Sequence, residues 1–195
     1  RLGELSAEQA DLPDFDRVKA RASLSDLRRA TRTDGNLGTE VRDILGACGI
    51  AFAVVPHLPK TYANGAAFWH RSRPLVMVSL RGLYEDIFWF TLFHEIGHIL
   101  LHGKTVKFIE GLDSGSRQED EADEFARDTL IPANEWSGFA ERQDWSREAV
   151  LAFAESLEIA PAIVVGRLCH ELKAFHLLHD LRSFRRKLEL VDGSA

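Results

Sequence analysis

With 195 residues, 45% of them hydrophobic and 28% charged, the chain can bury roughly 70% of its unfolded surface and needs neither a metal nor disulfides to hold a core together. Its net charge of -6, with basic residues scattered except for Arg182, Arg185, Arg186 and Lys187, excludes broad electrostatic binding of nucleic acid. Two cysteines without a C-x-x-C spacing, Cys48 and Cys169, exclude a disulfide framework and a thiolate zinc site, and no apolar run reaches the ~18 residues of a membrane span. A reducing cytoplasm is the expected location. The chain opens at Arg1 without a signal-peptide layout, which suggests a processed product or an excised piece of something longer.

Residues 1–37 read as a polar helical lead-in or linker: Ser6 and Gln9 can cap a short helix, and Pro13 to Ala30 forms another, ended by a turn from Thr31 to Gly35. From Thr39, the apolar positions Val41, Ile44, Leu45 and Cys48 recur at helical spacing until Gly49 stops them. Three extended runs follow, Ile50 to Val55, Ala66 to His70 and Leu75 to Leu80, interrupted by Pro56, Pro59 and Pro74, and they predict a small, mostly antiparallel, three-stranded sheet. The period then changes. Trp89, Leu92, Phe93, Ile96, Ile99 and Leu100 form the buried stripe of one amphipathic helix that Gly103 ends. A loop from Lys104 to Gly115 leads to a helix from Ser116 to Ile131, closed by Pro132, and further helices are expected around Glu135, from Ser146 to Leu157 and from Ala160 to Lys187. The order of elements predicts an α+β fold with a helical C-terminal half, divided as 1–37, 38–172 and a C-terminal helix and tail at 173–195.

Within the amphipathic helix lies His94-Glu95-Ile96-Gly97-His98, an H-E-x-x-H string. Spacing of i to i+4 stacks two imidazoles one turn apart on one side, where both can reach a single metal ion, and Glu95 beside them can take a proton from water once zinc has lowered its pKa to about 7. A shuffled chain with 8 His and as many Glu as this one contains the string with a probability of roughly 0.03, so context has to support it. The two histidines fall outside the buried stripe. Gly97 sits inside the helix where Ala is about 1 kcal/mol better, which is explained if another backbone passes close to this turn.

A catalytic zinc site uses three protein ligands and an open position, and the next helix offers Glu119, Asp120, Glu121, Asp123 and Glu124. Ser116-x-x-Glu119 reads as a capping box, which gives Glu119 a structural task, and Asp120 and Glu124 read as a solvated helix N-terminus. Glu121 borders the stripe of Ala122, Phe125, Ala126 and Thr129 and is the expected third ligand.

The string Phe93-His-Glu-Ile-Gly-His-Ile-Leu-Leu-His102, followed by Glu119-x-Glu-Ala-Asp-x-Phe-Ala126 and Leu130-Ile-Pro132, resembles the ImmA/IrrE family of zinc metallopeptidases over roughly residues 38 to 172. The resemblance implies a zincin-like domain in which the sheet packs on the H-E-x-x-H helix, with His94, His98 and the glutamate of the Glu121-Ala122 pair on zinc and Glu95 as general base. The stretches Val55 to Tyr62, Gly65-Ala-Ala-Phe-Trp69 and Val165-Gly-Arg-Leu-Cys-His-Glu171 look like the C-terminal half of HigA-type antitoxins and related helix-turn-helix regulators. No helix-turn-helix pattern of the chain's own accompanies them. The sequence departs from thermolysin-like enzymes, whose zinc glutamate is followed four residues later by an aspartate that supports a histidine, because four residues beyond Glu121 stands Phe125.

Tyr62, His70, Arg167 and His170 are the candidates for stabilising an oxyanion or holding substrate. His102 reads as a helix C-terminal residue favoured by the dipole, and Cys169 as a small buried residue. Leu75 to Ser79 can offer an edge to an extended substrate strand, or be an ordinary core strand. The functional expectation is a zinc endopeptidase that cuts a helix-turn-helix repressor, in cis (its own N-terminal DNA-binding part) or in trans, in a stress, phage or toxin-antitoxin response. The competing expectation is a non-catalytic antitoxin or repressor module with a peptidase-like fold that binds a toxin or ligand, its zinc structural or absent. Neither involves direct nucleic-acid or membrane binding by these residues.

Overall fold

The computed structural model describes residues 12–33, 37–55, 64–79, 84–103, 108–109, 117–173 and 179–188. Among them the chain forms helices α1 (Arg17–Ala22), α2 (Leu24–Ala30) and α3 (Leu37–Gly46), strands β1 (Ala51–Val55), β2 (Gly65–His70) and β3 (Arg73–Ser79), helix α4 (Glu85–Leu101), and strand β4 (Phe108–Ile109). Helices α5 (Arg117–Leu130), α6 (Ala133–Glu141), α7 (Arg147–Ser156) and α8 (Pro161–Leu172) follow, and a 3-10 turn runs over His179–Phe184. The α+β reading holds.

The sheet has the order β1-β3-β2-β4. β2 and β3 form an antiparallel hairpin with Ala67 opposite Val76, and β4 adds antiparallel to β2 with Ala67 opposite Phe108. β1 joins β3 in parallel, Phe52 opposite Val76. Two of three pairings are antiparallel, as expected, but a fourth strand of two residues lies inside the segment read as a loop. A strand so short has no periodicity of its own; pairing with β2 supplies it. β3 is an interior strand, flanked by β1 and β2, so the expectation that Leu75 to Ser79 presents a free edge is overturned and the core-strand alternative stands. Its apolar residues agree: Leu75, Val76 and Val78 are fully buried.

β2 and β3 pack on α4, which is covered on its other sides by α5 and α8. All six residues of the expected stripe, from Trp89 to Leu100, are buried, but so are His94, Glu95 and His98. The helix is therefore not amphipathic in the ordinary sense, because its polar side is roofed by α5 rather than by water. Gly97 shows how close that roof is: a Cβ there would lie 3.0 Å from the Phe125 ring and 3.4 Å from the Ala122 Cα, the close backbone approach that the misplaced glycine implies.

The segment read as a lead-in is tied into the same core. Leu27 and Ala30 are buried against it, Arg28 donates to the Leu157 carbonyl at 3.0 Å, and the Ala160 N–H donates to Thr31 Oγ1 at 2.9 Å. The single helix expected from Pro13 to Ala30 is two, meeting at Ser23; Ser6 and Gln9 lie outside the described residues. The last helix stops at Leu172, where Lys173 takes a left-handed conformation with φ 51°, so the expectation of helix continuing to Lys187 is corrected. The basic run beyond it has an internal task. Arg185 grips Asp86 with two hydrogen bonds of 2.9 and 2.7 Å, and Arg186 holds Glu85 at 2.8 Å. Both acids are buried in the first turn of α4, so the strap neutralises charges that the core could not otherwise hold. No single helix among the described residues is long and apolar enough to cross a membrane.

Candidate metal centre

Four residues of α4 and α5 build the centre. His94 and His98 stand one turn apart on α4 with their Nε2 atoms 2.9 Å apart. Facing them from α5, the Glu119 carboxylate places one oxygen 3.2 Å from His94 Nε2 and the other 3.3 Å from His98 Nε2. The fourth is Asp123, whose Oδ1 lies 2.8 Å from His94 Nδ1. Each of His94, His98 and Glu119 offers a ligand atom within 4.8 Å of the others, and all three are buried.

The donor set fits a divalent metal of the zinc class. Asp123 accepts the Nδ1–H of His94, which leaves the His94 Nε2 lone pair facing the cluster. His98 is held neutral: burial first, then the imidazoles of His94 and His102, push its pKa down to about 3. Two imidazole nitrogens and a carboxylate at these distances need a proton or a cation between them, and imidazole with carboxylate is a donor combination suited to zinc.

The carboxylate that faces both histidines is Glu119 rather than the expected Glu121. Two residues apart on a helix means a rotation of about 200°, so the two side chains cannot face the same histidines. Glu121 instead takes a hydrogen bond from Arg117 Nε at 2.8 Å, lies 3.7 Å from His102 Nδ1, and its side chain is 39% exposed. The signal was in the sequence: Glu119, Ala122, Ala126 and Leu130 are the buried residues of α5, and stepping back three from Ala122 reaches Glu119. Ser116, the other half of the capping-box reading, lies outside the described residues. With Glu119 as the ligand, the aspartate four residues on is Asp123, and the departure from the thermolysin-like pattern disappears. Asp120 and Glu124 are exposed, as a solvated helix end requires.

Glu95 is 1% exposed and lies against the start of β2. A Cβ on Gly65 would come within 2.5 Å of Glu95 Oε1 and 2.6 Å of Thr91 Cγ2, so only glycine leaves room for this carboxylate. His102 has a task beyond the dipole: its Nε2 donates to the Gln118 carbonyl at 3.1 Å, tying the first turn of α5, and with it Glu119, to the end of α4.

None of the other described candidates belongs to the His94, His98 and Glu119 group. Tyr62 is outside the described residues. His70 pairs with Arg73 at the far end of β2, about 16 Å of strand from Gly65. Arg167 donates to Glu171 and to the Ile131 carbonyl, each at 2.9 Å, and stacks on Trp136; it and His170 line a cavity on the His94 side of the cluster rather than Glu95. Cys169 is buried, its thiol pKa raised chiefly by that burial, and it feels Asp86 and Arg185 rather than the histidines.

The family profile of Peptidase M78, the IrrE N-terminal-like domain, matches residues 54–169. The chain belongs to this family, a metallopeptidase-type domain. No curated protein matches it.

Proposed function

We propose that the chain is a zinc-dependent endopeptidase whose substrate is a helix-turn-helix repressor, cut in cis or in trans. The observation that carries the reading is the convergence of His94 Nε2, His98 Nε2 and Glu119 on one point, with Glu95 on the same helix. Those three residues hold the metal, and Glu121 does not. When bound there, zinc lowers the pKa of a coordinated water toward 7 and polarises a carbonyl. The remaining work belongs to the chain. Asp123 and His102 orient the ligands, α5 and the sheet exclude bulk solvent, and the Glu95 carboxylate takes the proton of the attacking water and returns it to the departing amine. The repressor substrate and the stress, phage or toxin-antitoxin setting rest on the likeness to ImmA/IrrE and HigA-type regulators in the residues quoted above.

The test is metal analysis of the purified chain, then incubation of the zinc-loaded form with helix-turn-helix repressors and with a random peptide library. Glu95→Gln keeps the metal and the fold and is expected to lose about 10² to 10⁴ in rate. Full function of Glu95→Gln in toxin or repressor binding, with no peptide cut by the unaltered chain, selects the non-catalytic module instead.

A further inference from the structure

Between α4, α5 and α8 lies a cavity of about 260 Å³ that adjoins the metal centre. Asp123 lines it and also holds His94. Phe90 stands at its mouth, 37% exposed, with its ring centroid 6.5 Å from that of His94. Much of the wall is apolar, from Ile87 of α4, Leu130 at the end of α5, Ile131 just beyond it and Ile163 of α8, while Arg127, His170 and Glu171 also line it. The charges on its border are neutralised by partners within the fold, Asp86 by Arg185 and Arg167 by Glu171.

We propose that this cavity receives one large apolar side chain of the substrate, from a residue flanking the bond that is cut. The inference rests on the peptidase reading and gives it a substrate class. The volume exceeds a few waters and falls just below the range of pockets for whole small molecules, which is the range of one large side chain. A charged side chain entering it would lose hydration and meet carboxylates and guanidinium groups that already have partners, Arg127 with Asp128 among them. Leu, Ile, Met or Phe would bury apolar surface against five apolar residues.

Two measurements test it. Digestion of a mixed peptide library by the zinc-loaded chain is expected to show, at one position beside the cut, large apolar residues favoured about tenfold or more over Gly, Asp and Lys. Ile87→Trp, at a partly exposed lining position, fills the cavity and is expected to shift that preference to Gly and Ala while small-residue peptides are still cut, with a thermal melt checking that the variant is folded. Independently of activity, saturation-transfer NMR on the metal-free chain should detect N-acetyl-leucinamide and N-acetyl-phenylalaninamide but not N-acetyl-glycinamide, and Ile87→Trp should abolish the signal. Cutting without an apolar preference, or with one that Ile87→Trp leaves unchanged, overturns the proposal and leaves the peptidase reading standing. Binding of the apolar amides without any cutting keeps the cavity and overturns the peptidase reading, and failure of both overturns both.

Discussion

Asp123 accepts the Nδ1–H of His94 at 2.8 Å, four residues beyond the Glu119 that meets the same imidazole from its other side. One turn of α5 thus supplies both the carboxylate that faces the two histidines and the group that fixes the tautomer of one of them. Asp123→Ala is expected to weaken metal binding about 10- to 100-fold without unfolding the chain. Competition against a chelator measures it, and an unchanged affinity would show that packing alone orients His94.

The choice between the two glutamates can be made in the same assay. Glu119→Gln should lose stoichiometric metal at micromolar concentrations, whereas Glu121→Gln, whose carboxylate is spent on Arg117 and His102, should bind within a few-fold of the unaltered chain. The reverse order would return the ligand to Glu121.

Gly65→Ala is expected to keep the metal and lose activity about tenfold or more, because the added methyl would lie 2.5 Å from Glu95 Oε1 and displace the general base. The readout is kcat on any cleaved peptide alongside metal content; equal rates would mean that β2 shifts to accommodate the methyl.

The metal-free chain should lose stability in acid. His98 has a folded pKa of about 3 against 6.5 in its ordinary state, so the unfolded chain binds the extra proton between those values. Its contribution is fully present above pH 6.5 and is lost as pH falls toward 3, by at most about 1.4 kcal/mol per pH unit. Denaturant melts of chelated protein at pH 7, 6, 5 and 4 should show a slope that His98→Gln flattens.

What the sequence disclosed and what it withheld follow one physical division. The His94 helix is legible because i to i+4 spacing and a stripe of large apolar residues are local features, and all six stripe residues from Trp89 to Leu100 are buried, whereas the burial of His94, Glu95 and His98 depends on α5 and the sheet and is not. The parallel pairing of β1 with β3 and the two-residue β4 were not, because both are decided by partners distant in the chain. Glu119 was missed for a different reason. Its position opens a helix, and capping logic there assigns a carboxylate to its own backbone, while the neighbouring helix α4 offered it two imidazoles instead.

The strap that brings Arg185 to Asp86, 99 residues away, sets an order of events during synthesis. Until those last arginines leave the ribosome, the first turn of α4 holds two acids, Glu85 and Asp86, that cannot enter an apolar core unpaired, a penalty of about 3–5 kcal/mol for a buried pair broken on one side. Helix α4 therefore docks only after Arg185 and Arg186 have been made, and the His94 cluster that it carries cannot be roofed by α5 in its final form before then. A chain ending at Phe184 is expected to melt well below the chain of residues 1–195 and to bind metal poorly, whereas a chain that ends just after Leu188 should match it in both respects.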